Sequence, residues 1–324
     1  MFEYQIKSNI QKRQFCKGHL SDKKTCIIIE SFQSGTTQMT HTGTKQNSRI
    51  HTNRHFLIGL ARAFAGAILF AFPMIMTMEM WSLGFTVGRN RLAVFMFLTI
   101  PLLVGLSYFI GFEDTSDLID DLIDAFVAYA VGFFTSAVLL FLFGILDFSM
   151  SLDEIIGKIS IQAVVAAIGA MLAQSQLGMS RQDKENKEKK ERNTSYWGKL
   201  FLMMVGAIFL AMNIAPTEEV ILLAYKMPDA QIIVLALFSM LLMHAFVYKV
   251  EFRGQEKRYP ADKTFRSLFL RYTITGYALV LIVSFYLLWT FERTNGINLE
   301  DSLRITIVMG FPGALGAAAS RLIL

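Results

Sequence analysis

Long apolar runs separated by short polar breaks dominate the chain from Phe56 onward. Eight stand out, at roughly 57–83, 92–111, 122–146, 155–177, 198–225, 230–250, 268–291 and 301–323. Each reaches or approaches the ~20 residues that an α-helix needs to cross a bilayer's hydrocarbon core. The pattern predicts eight spanning helices, an all-α polytopic transmembrane bundle. The first and fifth runs are long enough to tilt or to project beyond the hydrocarbon. Each carries a proline, Pro73 and Pro216, that predicts a kink and a freed backbone carbonyl. Residues 1–55 are polar and predict a disordered tail, and their apolar stretch Cys26 to Ile29 is too short for a signal peptide. Met39 offers an alternative start.

Composition agrees with this pattern. Charged residues make up 18% of the chain, against about 25% for a soluble domain. The sequence pI near 9.1 does not imply nucleic acid, because the basic residues gather in the polar breaks. Nine Lys/Arg precede Phe56, seven lie in 178–199 and six in 249–266, whereas the alternate loops hold only scattered cations such as Arg89, Arg91, Lys226 and Arg293. The positive-inside rule then places both termini in the cytoplasm. The break at 111–121 should be cytoplasmic yet has no Lys or Arg, which weighs little because acidic residues hardly enter the rule. Segment 179–197 reads as a charged cytoplasmic linker. The two cysteines, Cys16 and Cys26, both sit in the tail and are expected to remain free thiols.

The runs also repeat. AGAILFAFPMIMTMEM (65–80) aligns without gaps on VGAIFLAMNIAPTEEV (205–220), matching Gly66, Ala67, Ile68, Ala71, Thr77 and Glu79 with Gly206, Ala207, Ile208, Ala211, Thr217 and Glu219. The same offset of 140 matches Val94, Leu102, Tyr108 and Phe112 with Val234, Leu242, Tyr248 and Phe252. An offset of 148 lays AYAVGFFTSAVLLFLF (128–143) on GYALVLIVSFYLLWTF (276–291), and AAIGA (166–170) falls on GALGA (313–317). The chain reads as two four-helix units, 56–178 and 198–324. Four crossings is an even number, so both units enter the membrane in the same sense, with a pseudo-twofold axis along its normal.

Within MIMTMEMW (74–81) only the threonine and glutamate recur, which reduces the stretch to Thr-x-Glu. Glu79 and Glu219, with Glu218, Thr77 and Thr217, are candidates to coordinate a cation through hard oxygens or to relay a proton. Soft copper(I) ligation by Met74 and Met78 loses support because those methionines become Ile214 and Glu218. Asp117, Asp120, Asp121 and Asp124 share one helical face at the start of the third span, opposite Arg253, Lys257, Arg258, Lys263 and Arg266 of the second unit; helix-dipole complementarity explains them, and a clamp or gate between halves is the sharper alternative. His244 is expected to be a hydrogen-bonded interior histidine. The small residues of 163–173 and 310–320 predict close helix approach, with Pro312 marking a break.

No Walker loop, zinc-protease motif or dinucleotide glycine pattern occurs, so neither an enzyme nor a cofactor is expected. ARAFAGAILFAFPMIMTMEMW (61–81), APTEE (215–219) and IGAMLAQSQLG (168–178) resemble an uncharacterised family of bacterial integral membrane proteins, a domain of unknown function, over about 60–324. The resemblance implies a bacterial cell membrane and supports many spans; it supplies no site residues. The expected function is a channel or transporter for a small cation or proton, and the alternative is a non-transporting scaffold or sensor acting through the charged cytoplasmic surfaces. The expected partners are the lipid bilayer and that ion, with a homo-oligomer compatible. The metal is left unspecified.

Overall fold

The first and fifth apolar runs are each broken in two. In the computed structural model, which describes residues 41–110, 118–147, 149–176, 195–214, 217–253 and 269–323, the first run gives α1 (His41–Ile75) and a separate helix α2 (Met78–Thr86). The fifth gives α6 (Tyr196–Ile214) and α7 (Glu218–Lys226), and Pro216, where the sequence predicts a kink, lies outside the described residues. Both short helices have 9 residues. The remaining helices are α3 (Arg89–Ile110), α4 (Leu118–Leu142), α5 (Leu152–Gln176), α8 (Asp229–Arg253), α9 (Thr275–Thr290) and α10 (Leu299–Ile323). A π-helical turn, Phe269–Ile274, leads into α9. Eight helices are long and apolar enough to cross a membrane, in keeping with the eight runs. α1 begins at His41, within the polar N-terminal stretch.

The break after α1 is stitched by side chains. Pro73 has no N–H to donate, and the helix ends two residues later. Carbonyls left over at a helix C-terminus need other donors. The Thr77 hydroxyl donates to Met74 O at 2.7 Å and the Trp81 indole N–H to Ile75 O at 2.6 Å. Pro312, by contrast, leaves α10 unbroken, and that expectation is corrected.

Two helices act as hubs. In the first group of spans, α5 packs against α2, α3 and α4, and its Gly169 meets α1. A Cβ on Gly169 would lie 2.6 Å from Phe70 Cβ and 2.9 Å from Gly66 O. In the second group, α10 packs against α6, α7, α8 and α9. A Cβ on its Gly316 would lie 2.7 Å from Leu210 Cβ and close to Gly206 O. Only glycine lets two backbones approach this closely. Of the most apolar stretch of the α5 span, 83% is buried inside the bundle, against 17% for α8. The hubs are therefore interior, and the outward large apolar side chains, such as Leu69, Phe97, Phe134, Leu237 and Ile282, form a lipid-facing surface.

The two groups touch through α3 with α6 and α9, and through α5 with α6. Aromatic pairs mark that seam: Phe70 with Phe209 at 5.2 Å, Phe109 with Phe201 at 5.8 Å and Phe95 with Phe291 at 5.7 Å between ring centroids.

Candidate functional site

The break positions Thr-x-Glu at the start of each short helix. Thr77 is the N-cap of α2 and Thr217 the N-cap of α7, so Glu79 falls in the first turn of one, and Glu218 and Glu219 in the first turn of the other. The spans before them end at Ile75 and Ile214. The glutamates thus lie past the ends of two spans rather than deep inside unbroken apolar helices, which corrects the segment ends drawn at 83 and 225. The sequence hid this because the apolar run continues through α2, while the termination is set by Pro73 and the side chains that stitch it.

Carboxylates in the first turn complement the positive end of a helix. Glu219 is exposed, and its carboxyl is held below the usual glutamate range, first by a hydrogen bond from the Thr217 hydroxyl, then by its own backbone N–H and by Arg293. The expectation that burial would raise such a carboxyl does not hold at Glu219, which lies outside the candidate spans. Glu218 faces Arg293 at 3.6 Å. Among the described residues no side chain is paired with the Glu79 carboxylate, and Glu79 O accepts from the Ser82 hydroxyl at 2.8 Å. The hydroxyl proton of Thr77 is committed to the α1 end.

Met74 and Met78 separate completely: Met74 is fully buried, whereas Met78 is 70% exposed. They cannot share one ion. Among the described residues no three His, Cys, Asp or Glu side chains gather into a metal-holding group.

The aspartates at the start of α4 do not form one surface. Asp121 is buried and Asp120 exposed, and the Ser107 hydroxyl on α3 reaches Asp121 Oδ1 at 3.1 Å and Asp124 Oδ2 at 3.3 Å. Asp117 lies outside the described residues, as do the side chains of Arg253, Lys257, Arg258, Lys263 and Arg266 and the 179–194 part of the linker. His244 is buried as expected, with Nδ1 2.9 Å from Thr273 Oγ1 in the π-helical turn.

Sequence reasoning missed several charged and polar groups. Lys158 on α5 is buried, ion-paired with Glu154 at 2.7 Å and within 3.5 Å of Ile145 O and Met150 Sδ. Its signal was a lone lysine inside the 155–177 run. Arg91 and Arg293 are more than scattered loop cations: Arg91 donates to Trp289 O at 2.6 Å and Asn295 Oδ1 at 2.9 Å and stacks 5.0 Å over the Trp289 ring, and Arg293 faces Glu218.

An all-helical chain with eight candidate spans, interior small-residue hubs and an apolar exterior is a multi-span integral membrane protein. The chain belongs to the family described as "Putative integral membrane protein (DUF2391)", whose model matches residues 59–324. No curated protein and no solved structure matches it.

Proposed function

We propose that the protein passes a small cation across a bacterial cell membrane, with both termini in the cytoplasm, and that the paired Thr-x-Glu helix starts are where the ion is first held. The observation that carries this reading is the position of Glu79 and Glu219, each in the first turn of a 9-residue helix that follows the first span of its group. On the positive-inside assignment that end of the bundle faces away from the cytoplasm. A carboxylate kept ionised by Thr217 and a helix N-terminus is suited to attracting a cation and poorly suited to taking up a proton near neutral pH. Cation transfer is therefore favoured over proton relay at Glu219.

A duplication of one four-span unit underlies this proposal. Supporting it are the equal short helices, the two glycine crossings, and hubs that take the same place in each group. The scaffold alternative draws on the N-terminal tail, the 181–192 loop and the aspartate face; of that face, Asp121 and Asp124 accept from the Ser107 hydroxyl, and the 181–192 loop lies outside the described residues.

Flux of Na⁺, K⁺ and Ca²⁺ into proteoliposomes tests the reading, wild type beside the Glu79→Gln/Glu219→Gln double variant. We expect wild type to carry at least one of these ions and the folded variant to carry it at least about tenfold more slowly, as loss of one to two charge-assisted contacts would give. Absence of flux from wild type, or an undiminished rate in the variant, refutes it.

A further inference from the structure

The turns that follow α4 and α9 share one hydrogen-bond pattern. After α4, Phe143 N donates to Leu139 O, Gly144 N to Phe141 O and Ile145 N to Leu140 O. After α9, Phe291 N donates to Leu287 O, Glu292 N to Trp289 O and Arg293 N to Leu288 O. Both contain the six-to-one bond of a Schellman helix end, whose residue past the cap takes the left-handed conformation and is usually glycine. After α4 that residue is Gly144, with φ +68°. After α9 it is Glu292, with φ +62°, and among the described residues it is the sole non-glycine with positive φ.

A glutamate has no reason to occupy that position on backbone grounds, since its Cβ crowds the following carbonyl there. What it adds is a carboxylate. Oε1 accepts the Gly88 backbone N–H at 3.0 Å, and Oε2 accepts from Asn295 Nδ2 at 3.3 Å. Gly88 belongs to the connection between α2 and α3, 204 residues away in sequence. Three residues on, Arg91 grips the same turn through Trp289 O and Asn295 Oδ1. The turn's next residue, Arg293, faces Glu218 at the start of α7. Seven consecutive residues therefore reach the first group of spans on one side and the acidic helix start of the second group on the other.

We propose that residues 289–295 form a strap that locks the two groups of spans together at the short-helix end, and that Glu292 accepts a left-handed backbone in order to fasten it to Gly88. Strain at one residue, maintained by contacts to a distant segment, is the mark of a functional constraint rather than of local folding preference. At the position of Glu292 the first group has a glycine in place of a carboxylate. Gly144 supplies the same turn without a side chain, and nothing lies within 4 Å of where its Cβ would be. The lock is thus one-sided, and the strap is the part that must release if the two groups move apart at this end. Because Arg293 occupies Glu218, a cation arriving there displaces a residue of the strap itself; that link rests on the transport reading, whereas the strap does not.

Hydrogen exchange on the full-length protein in nanodiscs, read at the Gly88 amide and along α9 and α10, tests the strap in wild type, Glu292→Gly and Glu292→Asn. Glycine and asparagine both tolerate the left-handed conformation, so both variants keep the turn while losing the carboxylate reach. The expected result is exchange at Gly88 faster by about tenfold or more, the measure of a lost hydrogen bond to a charged acceptor, with protection along α9 and α10 retained. Unchanged exchange at Gly88 overturns the proposal. So does a general loss of protection along α9 and α10 in both variants, which would make Glu292 a support for its own helix end. Either failure leaves the transport reading standing, because the flux measurement does not involve Glu292.

Discussion

The crossing of α1 with α5 and that of α6 with α10 are built alike, and the charges around them are not. In both, glycine faces glycine across two helices, Gly66 with Gly169 and Gly206 with Gly316. Near the short-helix end the polarity is reversed: Arg89 at the start of α3 pairs with Asp153 on α5, whereas Asp229 at the start of α8 pairs with Arg304 on α10. Nearly two turns into the hubs, α5 carries buried Lys158 and α10 carries buried Ile305. The difference teaches where the constraint lies. Backbone approach tolerates no substitute for glycine, whereas an ion pair works in either direction and can be dropped for an apolar side chain.

The comparison breaks most directly at the glycines. Gly66→Val places a Cβ 2.5 Å from Gly169 O, and Gly206→Val places one against Gly316 O as well as 2.6 Å from Ser320 Cβ. Each should cost about 1–3 kcal/mol or more in reversible unfolding from mixed micelles, because backbone rather than a side-chain tip must yield. Equal losses in both groups uphold the parallel. Tolerance in only one of them ends it.

Lys158 offers a sharper contrast. Its side chain is 7% exposed and that of Glu154 26%. Glu154→Gln should destabilise by about 3 kcal/mol, since it leaves a buried ammonium unpaired. Replacing both, with Lys158→Met, should restore most of that loss, bringing α5 towards the apolar arrangement α10 already uses. A double variant as unstable as Glu154→Gln alone would assign Lys158 a role that Ile305 cannot fill.

The smallest effect concerns acid. Glu219 has a carboxyl held below its ordinary value, so its contribution to stability is complete above the unfolded glutamate pKa near 4.5 and fades as pH falls through the lowered folded value. Between pH 8 and about 5.5 stability should be flat with respect to this group. Thr217→Ala removes its largest cause and should move the carboxyl titration, followed by ¹³C NMR, back towards the ordinary range. An unmoved titration would shift the credit to the helix N-terminus and Arg293.

Much of the architecture could be read in advance. The eight spans follow from run length and the hubs from Ala and Gly density in 163–173 and 310–320, because both depend on composition over one turn or more. Pro73 marked a kink with a freed carbonyl, but its deepening into a full break at 76–77 could not be read, since Met76 and Met78 continue an apolar pattern and the decisive contacts are the Thr77 hydroxyl and the Trp81 indole. Thr-x-Glu was visible as a recurrence, but its placement at a helix start required that break. The strap was invisible for another reason. Gly88 and Glu292 become partners only through folding, and no local pattern marks a glutamate that stands where its counterpart is Gly144.

The enclosure of α10 has a consequence for how the bundle assembles. Its span, Leu299–Ser320, has a mean hydropathy of 1.3, the lowest of the eight, and 67% of its most apolar stretch is covered by neighbours. A segment so rich in small residues has modest affinity for lipid by itself and gains it from a groove already lined by α6, α8 and α9. Completion of the second group therefore requires α10, the helix that fills the space between α6, α8 and α9. Without α10 that groove would stand open and Gly206 would lose the Gly316 and Ser320 contacts that cover it.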